Sequence, residues 1–319
     1  MAIVQEINLL RPLTGSFSQR GTVALFGEVL ADKFPERSVL GGAPFNVARH
    51  LQAFGLHPVL ITRTGNDELR EELLASMAGF GMDTLGVQCD LLHPTGQVVV
   101  HLEQTGHRFE ISPDQAYDFI HAGVTHMVAL SIQPDLIYFG TLAQRHKVSR
   151  RALDSLFRSV GAPRLLDINL RAPWYDKQIL RRSLHSANLV KMNDAELAEI
   201  ARLLKLPGDG PVAQATSLLK QFSLERVLVT CGAEGAWQVT ADGMELRAEG
   251  SPPTGGLIDT VGAGDGFAAV FILGMLRGWP AGHTLSRANR FAAAVCGIRG
   301  AIPDGADFYQ PFLKEWRIR

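Results

Sequence analysis

The segment Asp259-Thr260-Val261-Gly262-Ala263-Gly264-Asp265-Gly266 leads directly into an apolar stretch beginning at Phe267. Glycines ahead of a helix leave backbone N–H groups unobstructed and aimed at one point, where the helix dipole also favours negative charge. An anion fits there. A carboxylate at such a point repels phosphate unless it has a task, and the natural task of Asp265 is to accept a proton from an attacking hydroxyl. The same residues also read as a glycine-rich turn in which Asp265 only caps a helix. A second run, Gly41-Gly42-Ala43-Pro44-Phe45-Asn46-Val47-Ala48, opens another helical pattern. Paired glycines admit close approach of backbone to a small polar ligand, Pro44 suits a first turn, and Asn46 offers a donor and an acceptor. Taken alone, this run reads more simply as a tight strand-to-helix turn. The chain has no Gly-x-x-x-x-Gly-Lys-Ser/Thr and no Gly-x-Gly-x-x-Gly sequence, so no P-loop or dinucleotide fingerprint competes for a phosphate.

Composition narrows the partners. Among 319 residues, 31 Lys+Arg balance 32 Asp+Glu for a formal charge of −1, which gives no whole-molecule field to draw in nucleic acid or an anionic membrane. No nucleic-acid or membrane partner is expected. No stretch reaches the roughly 18 apolar residues of a membrane span. The first 20 residues set Glu6, Arg11 and Arg20 around a short apolar run and do not read as a secretory signal. Cys89, Cys231 and Cys296 show no paired spacing and read as buried thiols in a reducing, cytoplasmic setting. The ten histidines show no zinc-ligand spacing.

The elements that must position the two glycine runs follow from periodicity. A strand is expected over Val23–Leu30, a helix from about Phe45 to Phe54, a strand over Pro58–Thr62 and a helix opening at Asp67. Gln97–Leu102 and His107–Ile111 alternate around Gln104-Thr105-Gly106, as a hairpin does. Strands follow at Met127–Leu130, Leu136–Phe139, Leu165–Ile168 and Leu189–Met192, with helical patterns at Leu142–Val160 and Asp176–Ser186. Arg226–Thr230, Gly235–Thr240 and Met244–Arg247 read as close-spaced strands, ahead of helices at Gly264–Arg277 and Thr284–Gly297. Strands joined through helices run parallel, and right-handed crossovers then place helices on both faces. The expectation is an α/β, doubly wound, mostly parallel sheet in one domain over 1–319, carrying a small β lid from about 33–42 and 95–112. A chain of this length can bury roughly three quarters of its unfolded surface, enough for such a domain.

The glycine runs, in this order and separation, resemble the two signature regions of the PfkB, or ribokinase-like, carbohydrate kinases, a likeness extending from about Val23 to Ile302. The resemblance implies a kinase using ATP and Mg²⁺, with Asp265 as base and the amides of Gly262, Ala263 and Gly264 as an anion hole. It implies that Asn193 and Glu196, in Asn193-Asp194-Ala195-Glu196, organise Mg²⁺ and phosphate, through waters rather than as direct ligands. Without it, Asp194 and Glu196 would be an acidic first helical turn. Thr230, Gly232 and Gly235 resemble the family's nucleotide loop, though they also suit a turn between two strands. Asn289 lies where relatives often place adenine-side contacts. On the sugar side, Asp32 at the end of the first strand resembles the aspartate that accepts from two sugar hydroxyls, beside Gly41, Gly42 and Asn46. The hairpin with Phe34–Leu40 would be a lid that keeps water out.

Gly27-Glu28-Val29-Leu30-Ala31-Asp32, Ala116–Ile120, Tyr138–Arg145 and Asp167–Arg171 with Trp174 resemble the fructokinase branch, so D-fructose phosphorylated at O6 is the expected reaction. Arg171 could face substrate or phosphate, or form a structural salt bridge. Its motif also occurs in related 2-keto-3-deoxygluconate kinases, which keeps that acid, or another small sugar, as an alternative. A sugar-binding regulator without turnover is the alternative of another class, and the presence of Asp265 speaks against it. The resemblance further implies a monovalent cation, K⁺, held by loop carbonyls near Asp259, and a homodimer using the lid edge.

Overall fold

The computed structural model describes residues 21–33, 38–103, 106–253 and 255–318. The leader 1–20, residues 34–37 of the expected lid segment, and residues 104 and 105 of the expected hairpin turn lie outside the described residues.

Continuous β-branched and aliphatic runs, buried on both faces, build the centre of a nine-stranded sheet. In chain order its first members are β1 (Thr22–Phe26), then, after the lid strands β2 (Leu30–Lys33) and β3 (Ser38–Gly41) and helix α1 (Ala43–Ala53), β4 (His57–Gly65). Helix α2 (Glu68–Gly79) leads to β5 (Val87–Asp90); the lid then takes β6 (Gly96–Glu103) and β7 (Gly106–Ile111). Helix α3 (Ala122–Ile132), β8 (Leu136–Phe139), α4 (Lys147–Ser159), β9 (Arg164–Asp167), α5 (Lys177–Ser186) and β10 (Leu189–Asn193) continue the alternation. Helices α6 (Asp194–Leu204) and α7 (Pro211–Phe222) precede β11 (Arg226–Thr230), β12 (Gly235–Thr240) and β13 (Glu245–Glu249). Helices α8 (Ala263–Leu276), α9 (Ala281–Val295) and α10 (Gln310–Glu315) close the chain. The sheet order is β13-β12-β11-β10-β9-β8-β1-β4-β5, parallel from β11 to β5 with β12 and β13 antiparallel at one edge.

Alternate residues of one strand feed two cores. In β1, Ala24 and Phe26 join the apolar layer beneath α3 to α7, whereas Val23 and Leu25 join the layer beneath α1, α8 and α9. Helix α8 is apolar on every side, and from Gly266 to Leu276 each of its residues is buried, as expected of a helix packed between the sheet and two others. Its N-terminus is thereby fixed at the C-terminal ends of the parallel strands, where open α/β sheets place ligands.

Several expectations change. Val23–Leu30 is not one strand: the chain breaks at Gly27, where a Cβ would come within 2.8 Å of Pro44, and Leu30 already belongs to the lid. Asp32 therefore sits within lid strand β2, opposite Val39 and Val98, and not at the end of the first sheet strand. Met127–Leu130 lies inside α3, because a run of four apolar residues cannot distinguish strand from helix; Met127 and Leu130 face outward while Val128 and Ala129 are buried. Leu142–Val160 is a short 3₁₀ turn and a separate helix that starts after His146. Cys89 is exposed rather than buried, since β5 is an edge strand with one face to solvent, and Cys231 and Cys296 are half-buried. A second, four-stranded sheet, β3-β2-β6-β7, carries the segments expected to form a lid, and its β2 starts at Leu30, ahead of the expected 33–42. No described helix is long and apolar enough to cross a membrane.

Candidate active site

Gly262 precedes α8 with φ +78°, and a Cβ there would lie 2.3 Å from the Cβ of Ala301. Only glycine fits. The first amides of α8 have no intrahelical acceptor; that of Ala263 makes a long 3.3 Å bond to the Thr260 carbonyl, and Gly264 and Asp265 follow it on the same turn. The Asp259 carboxylate accepts from the amides of Val261 and Gly300, each at 3.0 Å, which pins this loop to the segment carrying Ala301. Ala301 is held in turn by buried His50, whose Nε2 lies 3.1 Å from its carbonyl oxygen, while Nδ1 lies 2.9 Å from the Tyr309 hydroxyl.

The two glycine runs meet at one contact. Asn46 Nδ2 donates to Asp265 Oδ2 at 2.7 Å, across 219 residues of sequence, because α1 packs against α8. Asp265 stands in the first turn of α8 with protein around most of it, and this burial raises its pKa from 3.8 to about 6. The bond from Asn46 opposes the rise, the charge of Asp167 adds to it, and Lys191 and Arg171 oppose it. Asn46→Ala removes the bond that favours the carboxylate, so the acid limb of the kcat/KM–pH profile is expected to move to higher pH. An unmoved limb would separate Asn46 from Asp265 function.

Behind the first turn of α8 stands a network that sequence reasoning missed. Lys191 Nζ bonds both oxygens of Asp167 at 2.9 Å, and the Tyr138 hydroxyl donates to the same carboxylate at 3.0 Å. A Cβ on Gly264 would lie 3.4 Å from Lys191 Nζ, so the ammonium lies against the first turn of α8. Its pKa is raised, because the attraction of Asp167, with Glu196 and Asp265, outweighs the opposing effect of burial. The signal available was a lysine inside an apolar strand, which needs a carboxylate on a neighbouring strand.

Asn193 and Glu196 form a reciprocal capping box at the start of α6: Asn193 Oδ1 accepts from the Glu196 amide at 2.8 Å and Glu196 Oε2 from the Asn193 amide at 2.9 Å. Glu196 Oε1 also accepts from the Leu170 amide at 2.8 Å. Both carboxylate oxygens are thus engaged while keeping a lone pair each.

On the acceptor side, a Cβ on Gly42, φ +105°, would lie 2.8 Å from the Glu28 carbonyl, whereas Gly41 has room. Asp32 is partly buried, which raises its pKa, and Arg171 opposes the rise. Arg171 is exposed, makes no ion pair among the described residues, and acts electrostatically on Glu28, Asp32 and Asp265. The alternative of a structural salt bridge finds no partner among these residues. Glu28, which sequence reasoning passed over as part of a strand, is 4% exposed.

On the nucleotide side, Thr230 ends β11 beside Asn193, with its hydroxyl 3.4 Å from the Met192 carbonyl. Gly232 is open, with nothing near the position of a Cβ. The space at Gly235 is taken by β13, 2.2 Å from the Ala248 carbonyl, so sheet packing requires that glycine. Asn289 Nδ2 donates to the carbonyls of Ala248 and Glu249 at 3.1 and 3.0 Å, stapling α9 to β13.

Comparison with known proteins shows what the chain is similar to. The family pattern described as pfkB family carbohydrate kinase matches residues 22–307. The chain is 26% identical to a fructokinase of Salmonella typhimurium over 314 residues, covering 92% of this chain and 97% of that protein. It is 24% identical to an aminoimidazole riboside kinase of the same organism over 311 residues, covering 91% and 92%. A crystal structure of fructokinase with bound ATP from Xylella fastidiosa superposes with a TM-score of 0.77 at 20% identity, covering 93% of this chain and 99% of that one.

Proposed function

Because the chain belongs to the pfkB family of carbohydrate kinases, we propose that it transfers the γ-phosphoryl group of ATP to the primary hydroxyl of a small sugar, and that this sugar is D-fructose, phosphorylated at O6. The observation that carries the reading is the Asn46–Asp265 bond, which sets the proton acceptor of one glycine run against the sugar-side helix of the other. Asp265 takes the hydroxyl proton as the sugar oxygen attacks the γ-phosphorus. The bond to the bridging oxygen breaks, and ADP leaves with the electron pair. The amides of Gly262, Ala263 and Gly264 receive charge on the transferring phosphoryl oxygens, and Lys191 lies behind them. Asp32, Gly41, Gly42 and Asn46 hold the sugar, and Thr230, Gly232 and the Gly235 turn border the nucleotide.

Mg²⁺ carried with ATP would be held through its waters by Asn193 and Glu196 and would offset phosphate charge. K⁺ at loop carbonyls beside Asp259 belongs to the same reading. Arg171, which has no ion pair among the described residues, favours a second one, in which the acceptor is an acid such as 2-keto-3-deoxygluconate; the nearby carboxyls of Asp32 and Glu28 favour the neutral sugar. Competition decides between them. With both acceptors present at limiting Mg-ATP, fructose 6-phosphate is the expected product, and predominance of a phosphorylated acid would overturn the choice of fructose while leaving the kinase reading intact.

A further inference from the structure

Four crossings link the lid to the larger sheet, and all border one polar cluster. Glu28 lies in the link from β1 to β2, and its carbonyl abuts Gly42, where β3 leaves for α1. At Gly96, which opens β6, a Cβ would lie 2.4 Å from the Val29 carbonyl and 2.8 Å from the Tyr117 ring. At the fourth crossing, Arg145 Nη2 donates to the carbonyl of Ser112, just beyond β7, at 2.7 Å.

Three side chains of this cluster carry buried polar atoms short of a well-formed hydrogen bond among the described residues: Glu28 Oε2, Tyr117 Oη and Arg145 Nη1, of which the Tyr117 and Arg145 side chains lie within reach of each other. Tyr117 is fully buried, Glu28 is 4% exposed, and the Arg145 side chain is 6% exposed. They lie together. The Arg145 guanidinium stands 5.0 Å from the Tyr117 ring centroid, and Glu28 is tied to the same place by its carbonyl against Gly42 and by Gly96, which packs between the Val29 carbonyl and the Tyr117 ring. Arg145 is otherwise committed, with Nε and Nη2 on the Asp118 carboxylate at 2.7 and 2.6 Å, so it cannot turn to satisfy Glu28 without losing that pair. Buried polar groups ordinarily find partners, and three such atoms in one place at a lid hinge call for a molecule to complete them.

We propose that Glu28, Tyr117 and Arg145 form a second acceptor subsite, in which non-reacting hydroxyls of the sugar enter when the lid lifts and are closed upon when it returns. A hydroxyl is the matching group, because it donates to the Glu28 carboxyl while accepting from Tyr117 or Arg145. This set is separate from Asp32 and fixes which hydroxyl pattern the enzyme takes. Sites built to hydrogen-bond a hydroxyl discriminate strongly against analogues lacking it.

The proposal rests on the sugar-kinase reading, and its test does not depend on fructose. With whichever acceptor turns over fastest, Tyr117→Phe and Glu28→Gln are expected to raise the acceptor KM about tenfold or more, with kcat within about threefold and the ATP KM unchanged. Calorimetric binding of that acceptor should weaken in parallel. One monodeoxy acceptor should lose affinity for the wild type and lose no more in the variant, because the hydroxyl and its partner are removed together. An unchanged or lower acceptor KM in Tyr117→Phe, or deoxy penalties of equal size in variant and wild type, would show that these atoms meet water only and would overturn the subsite. Tyr117→Phe keeps the ring that packs beneath Gly96, so a folded variant is expected even if Glu28→Gln is unstable. If fructose fails as an acceptor while another sugar shows these shifts, the choice of fructose falls and the subsite stands.

Discussion

Asp265→Asn is expected to lower kcat by about 10²–10⁴-fold, the range for removing a positioned general base, with acceptor and ATP binding kept within a few-fold. The amide keeps the size of the carboxylate and leaves Gly262 and the start of α8 undisturbed, so positioning survives while the proton has nowhere to go. A pH dependence follows from the same burial. Since Asp265 has its pKa raised to about 6 and acts as the carboxylate, wild-type kcat/KM should rise with pH through about 6, and this limb should vanish in the variant. Stability moves the other way. A carboxyl with a folded pKa above its ordinary 3.8 contributes stability that is present below about 4 and lost as pH rises through about 6. Above pH 6 the asparagine variant should therefore be more stable than wild type, by about 1–3 kcal/mol. Equal denaturation midpoints at pH 8 would show that the wild-type carboxylate is not penalised there.

Lys191→Met is expected to have the largest effect on stability. Asp167 is 2% exposed and draws both its lysine bonds from this one ammonium, leaving only the Tyr138 hydroxyl when the charge is gone. Breaking a buried pair from one side costs about 3–5 kcal/mol, because the remaining charge stays desolvated. Urea unfolding should show that loss, and Asp167→Asn added to Lys191→Met should recover most of it, since no uncompensated charge remains. A loss below about 1 kcal/mol would mean that water reaches Asp167 freely. The same variant removes the ammonium behind Gly264, so kcat should fall at least about tenfold even in the stability-restored double variant, as when one stabilising group is removed from a transferring oxyanion.

Both glycine runs were legible in the sequence because steric need and chemistry coincide there. Gly262 and Gly42 have positive φ and almost no room for a Cβ, and each stands at a helix start. The parallel sheet was legible from alternating strands and helices, and the β6–β7 hairpin from period-2 runs. What escaped depended on tertiary partners. Lys191 looked like one polar residue in an apolar strand until β9 brought Asp167 beside it in register. Glu28 disappeared into a strand reading because apolar neighbours conceal a backbone break that only the contact of Gly27 with Pro44 explains. Met127–Leu130 became helix because the chain on both sides of it is helical, which so short a run cannot report. Asn193 and Glu196 matched a metal-associated pattern, and the structure gives them a reciprocal capping role at the start of α6.

The most direct test mixes the purified protein with Mg-ATP and D-fructose and follows the phosphorus resonances. The account predicts loss of the γ-phosphate signal with matched growth of ADP and fructose 6-phosphate, dependent on the sugar and abolished within the same period by Asp265→Asn. Phosphoryl transfer to fructose that persists at the wild-type rate in that variant, or no sugar-dependent ADP with any acceptor, would contradict it.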